Sequence, residues 1–233
     1  MIGKVVLMSL LATFTLLSVE VLAKKKPEMQ MGSDAEISFD GLHRVDHVRM
    51  DQVWAKPGVD LSHYDAVMFA NAGIQYRPVK DYRRNDRSAE FFPIEDKQRA
   101  RLEDAVRDAL VDEFKKFEHY KVVDQAGLGT LTVKIGLIDV TSFVPPEPMG
   151  RGGIYLKDLG QATLVLEVGD SVTGEVLARV VDTRHAESPF MQESNPVTNM
   201  SEVKRSVRSW GATVRKRLDD LHEIGCHACE SDG

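Results

Sequence analysis

Two amphipathic helical patterns constrain the fold of this chain more than any other feature of its sequence. Residues 95–117 and residues 199–222 each carry apolar side chains at steps of three and four, with charged side chains on the other faces. The first stripe contains Leu102, Val106, Leu110, Phe114 and Phe117, and the second contains Val203, Val207, Trp210, Val214, Leu218 and Leu221. Because each helix has only one apolar face, both must pack against a common apolar layer.

The segments between and before the helices have the alternation of strands. Residues 64–76 form a largely apolar run, and residues 130–137 alternate apolar and polar side chains. Residues 162–168 and 175–182 are typical of a hairpin joined by a glycine-containing turn. We therefore predict an α+β fold, a two-layer sandwich of one mixed or antiparallel sheet with two amphipathic helices on one face. A change of phase over residues 136–139 predicts a β-bulge.

The remaining segments read as connections and caps. Proline and glycine predict irregular loops over residues 148–160 and 185–198. We expect Asn199 or Ser201 to cap the last helix and Gly225 to end it.

The N-terminal residues 1–23 have the pattern of a secretory signal peptide. Lys4 supplies the positive charge, residues 5–19 are apolar except for serine and threonine, and small or tolerable side chains fill the cleavage positions 21–23. The apolar run is shorter than the ~20 residues of a membrane-spanning helix, so we expect cleavage and not an uncleaved anchor. We predict that the protein is periplasmic or secreted.

Four segments follow from these boundaries. They are a signal peptide at 1–23, a flexible leader at 24–38, a single α+β domain at 39–225 and a C-terminal tail at 226–233. The formal net charge of −6 and the export signal both argue against a nucleic-acid partner. After signal removal, no stretch of the chain is apolar for long enough to span a membrane.

A basic, aromatic connection is the candidate binding segment. Its cations are Arg77, Lys80, Arg83, Arg84 and Arg87. In an exported protein such a cluster suits the anionic groups of lipids or glycans, because guanidinium groups bind phosphate and carboxylate through paired hydrogen bonds. The alternative is a solvated loop whose charge is partly neutralised by neighbouring carboxylates.

The C-terminal tail holds both cysteines of the chain. Cys226 and Cys229 are close enough for a local disulfide, which an oxidising compartment favours. The alternative is a zinc or copper site formed by His222, Cys226, His227 and Cys229. We expect His43 and His47 to be loop histidines and not metal ligands.

Catalytic signatures are absent from the sequence. It contains no G-x-S-x-G, no H-E-x-x-H and no P-loop, so we assign no catalytic residue and expect no cofactor. The glycines at 127–129 and 150–153 are too short a pattern for a dinucleotide site.

Two segments resemble a known family. Trp54 with residues 57–67, and the turn at residues 170–177, are similar to bacterial envelope proteins catalogued as a domain of unknown function, number 3313. Many of its members look like lipoproteins, whereas this chain has no cysteine at the expected cleavage site. The resemblance implies an exported α+β domain with no known activity, and it transfers no catalytic residue.

These observations favour an exported, non-catalytic binding or interaction module of the bacterial cell envelope. Its partner would be an envelope protein or an anionic lipid or glycan. The alternatives are a small hydrolase with a loop-assembled site and a metal-handling protein that uses the C-terminal tail. A deep polar pocket would favour the hydrolase, and a shallow apolar groove would favour the module.

Overall fold

The computed structural model describes residues 26–80, 89–145 and 152–225, which form one eight-stranded mixed sheet and two helices. The elements in chain order are β1 (Glu28–Met29), β2 (His43–Asp46), β3 (Gln52–Ala55), β4 (Ala66–Tyr76), α1 (Asp96–Phe114), β5 (Lys121–Val123), β6 (Thr130–Ser142), β7 (Tyr155–Asp170), β8 (Val176–Glu193) and α2 (Pro196–Ile224). This architecture confirms the predicted α+β sandwich.

The sheet order is β1-β2-β3-β8-β7-β6-β4-β5. β4 runs parallel to β5 and β6, and the other neighbouring strands are antiparallel. Parallel neighbours need a long crossover, which here contains α1. β7 and β8 form a long hairpin at the centre of the sheet. The two ends of this hairpin therefore lie on opposite sides of the molecule.

The core lies between one face of the sheet and the two helices. Its fully buried strand residues are Val67, Leu131, Val133, Leu164 and Leu166, and α2 contributes Val207, Trp210, Val214 and Leu218. From α1, Val106 and Phe114 are buried, whereas Leu102 and Leu110 are only partly buried. The predicted stripes therefore do face the core, and the stripe of α1 lies partly at its margin.

The two helices contact each other closely at a glycine. A Cβ atom at Gly211 would lie 3.1 Å from the Cβ of Glu113, so the absent side chain allows α1 to approach α2. Beyond α1, the buried Asp219 carboxylate accepts hydrogen bonds from the backbone N–H groups of Glu118 and His119. That contact ties the end of the first helix to the second.

The central hairpin is longer than the sequence predicts. β7 begins at Tyr155 and β8 continues to Glu193, so the predicted loops at 148–160 and 185–198 are corrected over those residues. Pro189 is tolerated because β3 pairs with β8 only as far as Val181, which leaves the rest of β8 without a described neighbour on that side.

The last helix begins earlier than the sequence predicts. The N-cap is Asn195, whose side chain accepts hydrogen bonds from the backbone N–H groups of Val197 and Thr198, and Pro196 lies at the first helical position. The predicted caps Asn199 and Ser201 therefore lie inside α2. Gly225 ends the helix as predicted, with a φ of 73°.

Part of the predicted flexible leader belongs to the sheet. β1 pairs with β2, and Met29 is buried, so the ordered domain begins before residue 39. The predicted signal peptide at 1–23 and the tail at 226–233 lie outside the described residues. Among the helices that the structure describes, none has the length and apolar character needed to cross a bilayer.

Two of the irregularities that interrupt the sheet are neighbouring β-bulges. The predicted one lies in β6, where the register against β7 shifts between Ile138 and Thr141 and Asp139 has a φ of 56°. The second lies in β7, where the register against β8 shifts between Asp158 and Gln161. Each bulge adds a residue to one strand and changes the direction of the strands that follow.

Two buried tyrosines and one partly buried tyrosine predict alkaline destabilisation. Burial raises the pKa of Tyr64 and Tyr76 to about 12, and it also raises the pKa of Tyr120. Because an unfolded tyrosine ionises near pH 10, the unfolded state loses these protons first. We expect the free energy of unfolding to be constant up to about pH 10 and to fall towards about pH 12.

Urea unfolding at about pH 9 and about pH 11 measures this loss of stability. Tyr64→Phe, which removes the hydroxyl that donates to Asp170 at 3.0 Å, should reduce the difference between the two pH values. An equal difference in wild-type and variant would contradict the assignment to Tyr64.

Candidate functional site

The face of the sheet opposite the helices is the first of three candidate surfaces. Strand register aligns Lys134 with Glu167, Glu167 with Arg179, and Arg179 with Trp54 in one row across four strands. Arg44 extends the row on β2, where its guanidinium lies over the Trp54 ring at 5.4 Å. Side chains in one row point to the same face, so this face presents alternating charges beside an aromatic ring.

Arg179 is the centre of that row. Its guanidinium forms ion pairs with Asp40 at 2.6 Å and Glu167 at 2.8 Å, and it lies over the Phe39 ring at 5.4 Å. The hydrogen bond from Arg179 lowers the pKa of Asp40. Phe39 itself is 95% exposed, so the loop before β2 presents an apolar ring above a satisfied charge network.

A shallow depression of about 350 Å³ lies beside the row. It forms because Gly136 has no side chain between Ala72 and Val165. Ile138 also lines it, together with residues of the β4 strand. Small and apolar groups make up most of the lining, which suits an apolar side chain more than a polar substrate.

A cluster of three metal-ligand side chains lies at the bulged end of the hairpin. Asp158 pairs with Glu187 across β7 and β8, and the Nδ1 atom of His185 is 2.6 Å from the Oδ2 atom of Asp158. One ligand atom from each of the three residues lies within 4.8 Å of the others. The ring of Phe143 lies 6.0 Å from the His185 ring. An imidazole with two carboxylates can hold a divalent metal ion or exchange a proton.

Four exposed apolar side chains lie at the same end of the hairpin. They are Tyr155, Phe190, Met191 and Val197, with exposed fractions of 58%, 80%, 66% and 79%, and we call them the apolar tip. The register between β7 and β8 shifts between Leu156 and Asp158, opposite residues 187–192, so Phe190 and Met191 project from extra residues of β8. Val197 follows in the first turn of α2.

The predicted anion-binding residues are placed only in part. Arg77 donates to the Asp139 carboxylate and lies over the Phe91 ring at 5.0 Å. This pairing raises the pKa of Arg77 and lowers that of Asp139. Lys80 is exposed, and Arg83, Arg84 and Arg87 lie outside the described residues. Arg77 thus has an internal partner, and the anion site stays a prediction.

The predicted metal ligands of the tail are placed only at His222. Its ring stacks on that of His119 with centroids 4.6 Å apart, and His119 in turn contacts Glu223 at 3.2 Å. Cys226, His227 and Cys229 lie outside the described residues, so neither the disulfide nor the metal alternative is tested. His43 lies in β2, where its Nδ1 atom contacts the carbonyl oxygen of Gln30 at 2.8 Å.

Sequence reasoning missed the bulged end of the hairpin. His185, Glu187 and Phe190 fall in a segment that was predicted to be a loop, and Asp158 falls in another. The available signal was the spacing of His185 and Glu187, because residues two apart on a strand share a face. Nothing local indicates which residue of β7 lies opposite them.

Comparison with known proteins gives one family and several solved structures of low similarity. Residues 33–214 match the family model described as "Protein of unknown function (DUF3313)". No protein of curated function matches the chain in sequence.

Three of the similar solved structures come from bacteria. A Xanthomonas campestris protein assigned to the family model DUF330 is 12% identical, with a TM-score of 0.45, and covers 72% of this chain and 89% of its own. A neuraminyllactose-binding hemagglutinin homolog from Helicobacter pylori is 9% identical, with a TM-score of 0.38 and the same two coverages. A minor lipoprotein from Acinetobacter baumannii is 9% identical, with a TM-score of 0.30, and the match covers 67% of this chain and 94% of the lipoprotein. At these identities and TM-scores, the three similarities support no statement about the site or the function of this chain.

Proposed function

The chain belongs to the DUF3313 family of proteins of unknown function, and we propose that it is an exported, non-catalytic module that binds a partner protein through the apolar tip. The observation that carries this proposal is the exposure of Phe190 and Met191 at the end of the hairpin that also carries the exposed Tyr155 and Val197. Clustered exposed apolar side chains mark interaction surfaces, because a monomer gains nothing by leaving them in water.

The residue types suit a protein interface. Aromatic and methionine side chains are enriched at interfaces, where a few of them supply most of the binding energy. Phe190 and Met191 lie where the strand register shifts and are exposed, so a partner can reach them. The shallow depression at Gly136 is a second apolar feature, on the face of the sheet that no described helix covers.

The charges around the apolar tip favour a protein over an anionic surface. The strand ends that carry it, residues 155–158 and 187–193, contain three carboxylates and one cation, Lys157, and Arg205 of α2 reaches the carbonyl oxygen of Glu187. The carboxylates belong to Asp158, Glu187 and Glu193. We infer a partner surface with an apolar pocket and a basic rim, because opposite charges steer association and like charges oppose it.

The compartment is part of the proposal. The pattern of residues 1–23 supports export, and an envelope location would bring the apolar tip to other exported proteins. The depression at Gly136 contains no histidine, aspartate or serine side chain, so it does not favour the hydrolase alternative.

Site-specific photocrosslinking in the producing cells tests the apolar tip. A photoreactive phenylalanine analogue at position 190 should give one discrete protein adduct. The same analogue at Leu128, which is 92% exposed, should give none. Leu128 is a matched control because it lies near Ser171, at the opposite end of the 16-residue β7, roughly 50 Å away.

A double variant separates binding from folding. The photoreactive analogue is placed at position 155 in this experiment, and Phe190→Ser is combined with Met191→Ser. The double variant should give no adduct, and its free energy of unfolding should change by less than about 0.5 kcal/mol. Adducts that persist in the double variant would reject the proposal. Binding of the wild-type protein to lipid vesicles, lost in the double variant, would show that the apolar tip contacts a membrane instead of a protein.

A further inference from the structure

We propose that Asp158, His185 and Glu187 form a binding site for a divalent metal ion, with zinc as the first choice. This inference does not depend on the apolar tip binding a protein. The three ligand atoms already lie within 4.8 Å of one another. Zinc ligands at about 2.1 Å from the ion lie about 3–3.5 Å apart, so small rotations of the side chains would complete the site.

The donor set matches the chemistry of such an ion. Two carboxylates balance the double positive charge, and an imidazole nitrogen adds the borderline-soft ligand that zinc accepts. The carboxylate of Glu187 has no hydrogen bond to another described residue, so it is free to turn towards the ion. The contact of 2.6 Å between His185 Nδ1 and Asp158 Oδ2 would be replaced by contacts to the ion when the metal binds.

Three hydrogen bonds hold the cluster, one within β7 and two from α2. Asp158 accepts a hydrogen bond from the N–H of Gly160 at 3.0 Å, within the bulge of β7. From α2, Ser206 donates to the carbonyl oxygen of His185 at 3.5 Å, and Arg205 donates to that of Glu187. Outer contacts of this kind orient metal ligands before the ion arrives.

A second polar group on the same face lacks a partner. Strand register places Thr141, Gln161 and His185 in one row, so their side chains share the face that carries the cluster. Thr141 is buried, and its hydroxyl has no hydrogen-bond partner among the described residues. Ordered water usually satisfies a buried hydroxyl of this kind, and Thr141 lies two strands from His185 in that row.

Equilibrium dialysis of the full exported chain against micromolar zinc tests the site. We expect one zinc ion per chain and a rise in the melting temperature on zinc addition. Asp158→Asn, His185→Asn and Glu187→Gln should each weaken zinc binding at least about tenfold, the size of effect that even an outer partner produces. Each should also abolish the rise in melting temperature.

Two control variants separate this site from others. His63→Asn removes an exposed histidine near Gly129, at the opposite end of the sheet, and should leave binding unchanged. Cys226→Ser combined with Cys229→Ser removes the thiols of the tail and should also leave it unchanged. With cobalt in place of zinc, the absence of a thiolate charge-transfer band supports the nitrogen and oxygen ligands proposed here.

Three results would overturn the site. They are zinc binding that the three ligand variants do not weaken, binding that the cysteine variant abolishes, and no binding at micromolar zinc. If Asp158→Asn and His185→Asn fail to fold, zinc binding by Glu187→Gln is the test of the site. The Glu187 side chain is exposed and makes no described hydrogen bond, so its replacement should not disturb folding.

Discussion

Replacing Trp210 by alanine is expected to lower the free energy of unfolding by about 3–5 kcal/mol. Trp210 is 3% exposed and packs between α2 and the sheet, so its removal leaves a large cavity. The indole N–H also donates to the buried Asp182 carboxylate at 2.7 Å. Alanine would leave that carboxylate with its bonds from Arg184 and the Asp51 backbone only.

Urea unfolding followed by circular dichroism measures the loss, and two variants divide it into parts. Trp210→Phe keeps most of the volume and removes the donor, so it should cost about 1–2 kcal/mol. Arg208→Ala, on the exposed side of the same helix, should change stability by less than about 0.5 kcal/mol. A near-neutral Trp210→Ala would reject the packing of α2 on the sheet.

Gly160→Ala is expected to destabilise the protein by about 2–5 kcal/mol, for two reasons that add. Gly160 has a φ of 147°, a backbone angle that residues with a Cβ atom rarely adopt. Its Cβ would also lie 2.1 Å from the carbonyl oxygen of Thr141 on the neighbouring strand, so one of the two strands must move. Because Gly160 also donates to Asp158, the same substitution should disturb the proposed metal site.

Two other glycines separate strain from collision. Gly174 has a positive φ, but a Cβ atom there would have no neighbour within 4 Å. Gly174→Ala should therefore lower the free energy of unfolding by about 1–2 kcal/mol. Gly152 has no positive φ, and a Cβ atom there would have no neighbour within 4 Å. Gly152→Ala should therefore leave the free energy of unfolding almost unchanged. Thermal or urea unfolding of the three variants should rank Gly160 first, and equal losses at Gly160 and Gly174 would show that the bulge tolerates a side chain.

The candidate surfaces were less predictable than the fold. The exposure of Phe190 and Met191 depends on how many residues of β8 lie between its pairs with β7. That count is set by pairing across the hairpin, and the local sequence around Pro189 reads equally well as a loop. Arg77 illustrates the same limit, because its partner Asp139 lies on another strand, in a bulge with positive φ.

The sequence by itself determined the layers of this protein. The stripes of α1 and α2 and the alternation of β6 are periodic within one element, so burial of one face follows from local spacing. Only the tertiary structure decided the length of β7 and β8, the bulge at Gly160 and the meeting of Asp158 with His185 and Glu187. Those features depend on register between segments far apart in the chain, and a shift of one residue would move each side chain to the other face.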